Sequence, residues 1–327
     1  MKAKQVWVLV PFSRPKFLQN VIDNFTRQTF HNKKLIIVEN GPALGACKKA
    51  NFNPDLLITC NEHHQSHAKN MALHELRGMG GGFWCNFDDD DYYGYNFIEE
   101  MAEHSDKAEV IGKSDQFVRM AGGTLRSFEG LGHNEHVHLV HGPTICSWAE
   151  GCCDYPVPES KVGEDCQFLS EMQGTGAEIW ATSKFNFVFN RYEDVEAHHT
   201  WKVQDRELTD SLSFGAGPFG TAIIKDYGVV DNYDFVNGVG PEPDCELIHA
   251  NPLSEERAEE ASEAGVPFKD FVDASLTIMG FSKEGRQQSA KLRAHSSFKD
   301  GFAVTVVEED GCTIEEGCLG GGGEPGE

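Results

Sequence analysis

The sequence is poor in basic residues. It has 28 Lys and Arg against 52 Asp and Glu, a formal charge of −24 and a pI near 4.9. A protein that grips a nucleic-acid backbone by itself usually has the opposite balance, because Lys and Arg neutralise the phosphates. We therefore expect no stable binding to nucleic acid. The acidity is concentrated late in the chain, since residues 203–327 carry 25 acidic and 9 basic side chains.

Long hydrophobic runs and regular cysteine spacings are also missing. No stretch approaches the roughly 20 apolar residues that a transmembrane helix needs, so we expect no membrane span. The ten cysteines include no Cys-x-x-Cys pair, which argues against a zinc ribbon and against a secreted disulfide framework. Reduced thiols suit the cytoplasm, and we expect a cytoplasmic protein of a bacterial or phage-infected cell. The hydrophobic content of 39% is enough for a buried core.

Short apolar runs alternate with helical patterns in the first 200 residues. Residues 6–10 and 35–38 are typical of buried strands, and residues 17–25 between them carry apolar side chains at helical spacing. A strand, a helix and a strand within 45 residues predict a mostly parallel, Rossmann-like α/β sheet flanked by helices. Further strands are predicted at 56–59, 83–87, 137–140 and around Val188, and helices at 66–77, 96–104 and 164–172.

The pattern weakens after residue 203. We therefore predict a first domain at 1–202, an acidic α+β region at 203–318 and a flexible Gly-rich tail at 319–327. The acidic region is expected to serve oligomerisation, docking or acceptor binding, with helices near 254–264 and 284–294. A hairpin is predicted from residues 302–307 and 312–316.

Four consecutive aspartates follow the predicted strand at 83–87, namely Asp88, Asp89, Asp90 and Asp91. A run of like charge is usually a solvated loop. In an open parallel sheet, however, ligands bind at the carboxyl ends of the strands. Clustered carboxylates there suit Mn²⁺ or Mg²⁺, which in turn suits a diphosphate.

Two further motifs carry candidate chemistry. Glu164 and Asp165 open a predicted helix, where acidic residues ordinarily stabilise the helix dipole. Beside a metal site, one of them could instead act as a general base towards a hydroxyl. His198 and His199 follow the last predicted strand and are candidate metal ligands, although such a pair is more often an ordinary surface or core feature.

The order of these motifs resembles that of a known family. A strand is followed by Pro11-Phe12-Ser13-Arg14-Pro15, the next by Glu39-Asn40-Gly41, and then come Ala68-Lys69-Asn70, the four aspartates and Gly163-Glu164-Asp165. Over residues 5–201 this series resembles the family 2 nucleotide-sugar glycosyltransferases of the GT-A fold.

The resemblance implies a role for each matched residue. The donor nucleotide would be bound by Pro11, Phe12, Ser13, Arg14, Glu39, Asn40, Lys69, Asn70, Asp88 and Asp89. Within that set, Glu39 stands at the family's base-contacting acid, and Lys69 would face the diphosphate. Asp88 and Asp90 form the metal-binding DxD pair, joined by His198 or His199. Asp165, with Glu164 beside it, matches the base of inverting members.

The function so implied is transfer of a sugar from a nucleoside-diphosphate sugar to the hydroxyl of a glycan, protein or small molecule, with Mn²⁺ or Mg²⁺. The alternative is a catalytically silent GT-A domain that serves as a structural or glycan-binding part of a larger assembly. The departures from the family pattern at Phe12, Ser13 and Glu39 fit that alternative. Retention of the clustered carboxylates argues against it, because they are costly to keep without a cation. A nucleotidyltransferase is disfavoured because residues 11–16 contain no glycine.

Overall fold

The computed structural model describes residues 2–62, 64–129, 132–157, 163–192, 223–249, 291–296, 302–307 and 313–319. The described residues up to 249 form one compact unit, and those from 291 onward belong to a second. Among its described residues, the first unit has five α-helices: α1 (Leu18–Arg27), α2 (Ala46–Lys49), α3 (Gln65–Gly78), α4 (Phe97–His104) and α5 (Glu164–Gly174). Its strands are β1 (Val6–Phe12), β2 (Lys33–Asn40), β3 (Leu56–Cys60), β4 (Phe83–Asn86), β5 (Tyr92–Tyr93), β6 (Val110–Gly112), β7 (Gln116–Arg119), β8 (Thr124–Glu129), β9 (Glu135–Val137), β10 (Cys146–Trp148), β11 (Ile179–Ala181), β12 (Phe187–Asn190), β13 (Ile223–Val229) and β14 (Glu246–His249).

The larger sheet of the first unit has the strand order β3-β2-β1-β4-β10-β6-β11-β9. Strand β10 runs antiparallel to both of its neighbours, β9 runs antiparallel to β11, and the other strands are mutually parallel. The predicted α/β class, a mostly parallel sheet flanked by helices, is confirmed. The strand predicted at 137–140 is displaced, because pairing with β11 begins at Glu135 and ends at Val137.

Both faces of this sheet are covered. In β1, Val8 and Val10 face one hydrophobic core and Leu9 faces the other, as the pleat of a strand requires. Helices α1 and α4 pack on the first face and α3 and α5 on the second. Burial on both faces explains why the parallel strands read as continuous apolar runs.

A second sheet in the same unit has the order β14-β13-β8-β7-β12-β5. It has its own small core, which includes Phe117, Leu125, Tyr227 and Val236. Strands β13 and β14 come from beyond residue 202, so the fold of the first unit includes chain from both sides of the predicted boundary. The functional division of the chain at residue 202 stays a prediction.

The second unit contains three antiparallel strands, β15 (Lys291–Ser296), β16 (Phe302–Val307) and β17 (Thr313–Leu319). The predicted hairpin of β16 and β17 is confirmed. The helix predicted at 284–294 is wrong over 291–294, where polar and apolar residues alternate with the period of a strand. The helix predicted near 254–264 and the tail after 319 lie outside the described residues. No helix in the described part of the chain is long and apolar enough to cross a membrane.

Candidate active site

The site lies where two neighbouring parallel strands end. Strand β1 pairs with β4, with Leu9 opposite Asn86, and the strand order changes direction beside β1. Beyond its carboxyl end, β1 continues into Ser13 and Arg14, and β4 continues into the four aspartates. Ligands of open α/β sheets bind in the crevice at such a switch point.

Helix α1 anchors the backbone of the aspartate turn. The Asn20 amide donates to the carbonyls of Asp89 and Asp91, at 2.8 and 2.9 Å, and the Asn24 amide donates to the Asp91 carbonyl at 2.8 Å. Asn24 is 1% exposed. Neither residue was predicted from the sequence. Their spacing could have indicated this role, because two asparagines four positions apart share one helix face, and buried amides need hydrogen-bond partners.

Tyr93 holds the start of the same turn. Its hydroxyl accepts a hydrogen bond from the Asp88 backbone N–H at 2.7 Å and donates to the Pro143 carbonyl at 2.9 Å. Its ring stacks on that of Phe87, with centroids 3.7 Å apart. Tyr93 therefore positions Asp88 without contributing a charge to the site, and this role was not predicted from the sequence.

Arg14 is ion-paired to two of the aspartates. Its Nη2 contacts Asp89 Oδ1, and its Nη1 lies 2.7 Å from Asp90 Oδ2. The second Asp89 oxygen accepts from the backbone N–H groups of Ser13 and Arg14, at 3.4 and 3.3 Å. Burial lowers the pKa of Arg14, but the two carboxylates outweigh it and raise that pKa further above its ordinary value.

Burial raises the pKa values of all four aspartates, and repulsion from neighbouring carboxylates adds to the rise. Burial raises the pKa of Asp90 to about 7; Arg14 opposes that rise, whereas Asp89 and Asp88 add to it. Burial, followed by repulsion from Asp90 and Asp88, raises the pKa of Asp91 well above its ordinary value. An added cation would relieve this repulsion and favour the ionised carboxylates.

Lys69 of α3 and Asp165 of α5 form an ion pair. Lys69 Nζ lies 2.6 Å from Asp165 Oδ1, and the Lys69 side chain is 2% exposed. Burial lowers the pKa of Lys69, but Asp165, Glu164 and Asp88 outweigh it and raise the pKa overall. Burial and then repulsion from Asp165 raise the pKa of Glu164 to about 7, against the opposing effect of Lys69.

Asn70 acts on this pair indirectly, through Tyr155. Its side chain exchanges two hydrogen bonds with the backbone of Tyr155, at 2.8 and 2.7 Å. The Tyr155 ring in turn lies 4.5 Å from Lys69 Nζ and stacks on Phe168. Asn70 thus fixes the surroundings of Lys69, and its predicted contact with a nucleotide stays a prediction.

Glu39 is engaged within the protein. Its two carboxylate oxygens accept from the backbone N–H groups of Gly45 and Cys47, at 2.7 and 2.6 Å. A contact with a nucleobase would require Glu39 to release one of these bonds, so that role stays a prediction. Asn40 is 2% exposed, and its Oδ1 has no hydrogen-bond partner among the described residues. Pro11 and Phe12 are buried in β1, and Phe12 belongs to the core.

The donor set fits a divalent cation in its chemistry. Among the described residues, Asp88 Oδ2 and Asp90 Oδ1 accept no hydrogen bond, and Asp91 Oδ2 is buried without a partner. Carboxylate oxygens of this kind suit Mg²⁺ and Mn²⁺. In the described part of the chain, however, no three His, Cys, Asp or Glu side chains converge as a metal site. His198 and His199 lie outside the described residues.

Comparisons with known proteins give similarity to solved structures only. No protein-family model matches the sequence, and no curated protein matches it. S. aureus TarS in complex with UDP is 17% identical, with 57% of this chain and 60% of that chain covered and a TM-score of 0.43. This chain thus spans less than two thirds of that structure's length.

Two further structures were solved with Mn²⁺. The mannosyltransferase PcManGT from Pyrobaculum calidifontis, in complex with GDP-Man and Mn²⁺, is 14% identical, with 87% of this chain and 78% of that chain covered and a TM-score of 0.44. Glucosyl-3-phosphoglycerate synthase from Mycobacterium tuberculosis, in complex with Mn²⁺, UDP and glucosyl-3-phosphoglycerate, is 11% identical, with 64% and 79% covered and a TM-score of 0.41. Any activity of this chain has therefore to be argued from its own residues.

Proposed function

We propose that this protein is a metal-dependent glycosyltransferase that moves a sugar from a nucleoside-diphosphate sugar to an acceptor hydroxyl. The observation that carries the proposal is the Lys69–Asp165 ion pair, which lies at the same sheet edge as the aspartate turn. Asp88 is close to both members of that pair: burial raises the pKa of Asp88, Lys69 opposes that rise and Asp165 adds to it. The proposed base and the carboxylates that suit a cation are thus neighbours at this edge of the sheet.

Asp88 and Asp90 would hold the divalent cation. When bound, the cation supplies charge that stabilises the departing diphosphate. The resemblance to family 2 glycosyltransferases supports this assignment, because the two residues stand at that family's DxD pair.

Asp165 is the proposed general base. Lys69 donates to one oxygen of its carboxylate and fixes it, while among the described residues Oδ2 accepts no hydrogen bond. As the acceptor oxygen bonds to the anomeric carbon, the bond from that carbon to the diphosphate oxygen breaks. The hydroxyl proton passes to Asp165. Attack from the face opposite the leaving group predicts inversion at the anomeric carbon.

The first experiment measures donor binding and hydrolysis with UDP-, GDP-, CDP- and dTDP-sugars, each with and without Mn²⁺. We expect metal-dependent binding and turnover that fall at least 100-fold in Asp90→Ala. Asp106→Ala is the matched control, because it removes an exposed carboxylate from a loop away from the aspartate turn. NMR of the anomeric proton of the product tests the stereochemistry, and Asp165→Asn should lose transfer while it still binds the donor.

The catalytically silent alternative has one observation in its favour. The Glu39 carboxylate, at the position where the family contacts the base, is held by Gly45 and Cys47. That alternative predicts that no donor binds to the wild type, with or without metal. Donor binding that is lost in Asp90→Ala would exclude it.

A further inference from the structure

Arg14 stands where the proposed function needs a cation. Its guanidinium pairs with Asp89 through one terminal nitrogen and with Asp90 through the other. The Arg14 side chain is 22% exposed, whereas those of Asp89 and Asp90 are 1% and 8% exposed. Two of the four carboxylates are therefore already ion-paired with one guanidinium, whose side chain is partly exposed to solvent.

The two carboxylates are held differently. Asp89 uses both oxygens, one towards the Arg14 guanidinium and one towards the backbone N–H groups of Ser13 and Arg14. Asp90 uses Oδ2 for Arg14, and among the described residues its Oδ1 accepts nothing. Asp89 is thus fastened to the end of β1 by side chain and backbone together, whereas the Asp90 carboxylate depends on one ion pair.

A cation on Asp90 would be repelled by the guanidinium. A metal ion bound to that carboxylate would lie within a few ångströms of Arg14, and like charges at such a distance repel strongly in a buried site. In the described residues no three candidate ligands converge, which agrees with carboxylates turned towards Arg14 and Lys69 rather than towards a common centre.

We propose that Arg14 holds the place of the divalent cation at Asp90, and that cation binding displaces the Arg14–Asp90 pair while the Arg14–Asp89 pair remains. The inference rests on the proposed function, which supplies the cation. Without metal, Arg14 stabilises the crowded carboxylates, and it lowers the metal affinity by the cost of breaking its contact with Asp90. Arg14 is then a positioning residue that sets the metal concentration at which the site fills.

The test measures Mn²⁺ binding by isothermal titration calorimetry to the metal-free full chain, without any nucleotide. We expect Arg14→Gln to bind Mn²⁺ at least tenfold more tightly than the wild type. Lys16→Gln is the matched control: it removes an exposed positive charge two residues away, so it reports the general electrostatic effect. We expect its affinity to stay within twofold of the wild type.

A second readout is thermal unfolding in EDTA and in saturating Mn²⁺. In EDTA, Arg14→Gln should unfold at a lower temperature than the wild type, because its aspartates have lost their counterion. Added Mn²⁺ should raise its Tm more than it raises that of the wild type. Should Arg14→Gln fail to fold without metal, Arg14→Lys replaces it. That variant keeps the positive charge but cannot pair with both aspartates through two terminal nitrogens. Its Mn²⁺ affinity should lie between those of the wild type and Arg14→Gln.

Two results would overturn the inference in different ways. Equal or weaker Mn²⁺ binding by Arg14→Gln, with the wild type binding normally, would refute the role of Arg14 and leave the glycosyltransferase proposal standing. No Mn²⁺ binding by any variant, even with UDP or GDP present, would refute both the inference and the metal requirement of the proposed function.

Discussion

Gly142 shows how closely the backbone approaches the candidate base. A Cβ built at this position would overlap the carboxylate of Asp165. We expect Gly142→Ala to push Asp165 away from Lys69 and to lower kcat by about 10- to 100-fold, the effect of a displacement of about 1 Å at a reacting group. The stability should change by no more than about 1 kcal/mol, because the flexible carboxylate end can move.

The control for this substitution is Gly151→Ala. A Cβ at Gly151 meets no atom within 4 Å, and neither Gly142 nor Gly151 has a positive φ. Steady-state kinetics and urea unfolding of both variants separate the effect on the base from the effect on the fold. Equal kcat values for the two variants would show that Asp165 is not constrained by this contact.

His141 predicts a pH dependence of stability. Burial lowers its pKa from 6.5 to about 4, and its Nε2 lies 2.8 Å from the Ser114 carbonyl oxygen. As the pH falls below 6.5, the unfolded chain therefore takes up the proton before the folded chain does. The stability that depends on neutral His141 is complete above pH 6.5 and is lost as the pH falls to about 4.

The measurement is urea unfolding of the wild type and of His141→Gln at pH 7, 5.5 and 4.5. Glutamine can keep a donor near Ser114 but does not titrate in this range. Between pH 7 and pH 4.5 the wild type should lose about 1–3 kcal/mol more than the variant. Parallel pH profiles of the two proteins would contradict the assignment.

At the scale of secondary-structure elements, α1 is the support of the aspartate turn. Asn24→Ala would leave the Asp91 carbonyl and the Tyr93 N–H without their Asn24 partner in a buried region. We expect a loss of about 1–3 kcal/mol in the free energy of unfolding, since the buried Tyr93 N–H becomes unsatisfied, whereas the Asp91 carbonyl keeps its hydrogen bond from Asn20. The measurement is denaturant unfolding monitored by circular dichroism.

Gln19→Ala provides the comparison on the same helix. The Gln19 side chain is exposed, and among the described residues it bonds to Asp23 alone, at 2.8 Å, so its removal should cost under about 0.5 kcal/mol. Similar losses in the two variants would mean that the helix, and not its contact with the aspartate turn, sets the effect.

The sequence predicted the elements whose own residues show a recognisable pattern. Strands β1, β2 and β4 are buried runs, and α5 opens with Glu164 and Asp165, so their positions follow from local pattern. The second sheet was not predicted, because it depends on pairing between distant segments, such as Ser127 of β8 with Lys225 of β13. Strand β10 has only three residues, too few for a period to be recognised.

For the candidate site, the sequence predicted which residues lie near each other but not how their side chains pair. Strand ends and the start of α5 placed the aspartates and Asp165 at one edge of the sheet. The pairing of Arg14 with Asp89 and Asp90, and the use of Glu39 to hold Gly45 and Cys47, depend on side-chain geometry that no spacing in the sequence expresses.

At the scale of the whole molecule, the charge of −24 predicts that salt stabilises the protein. Repulsion among like charges destabilises the compact state, and salt screens it. We expect the first thermal transition at pH 7.5 to rise by about 2–5 °C between 10 mM and 200 mM NaCl. Near the pI of 4.9 the same salt step should have little effect. A salt response of the same size at both pH values would contradict the explanation.

The Arg14–Asp89 pair also has a consequence for the order of folding. It joins residues 75 positions apart, and the Lys69–Asp165 pair spans 96 positions. Contacts that close loops of this length form late, because their entropic cost is met only after the intervening strands have paired. These two ion pairs therefore cannot initiate folding. A ligand bound there would slow the unfolding of the finished molecule and leave its rate of folding nearly unchanged.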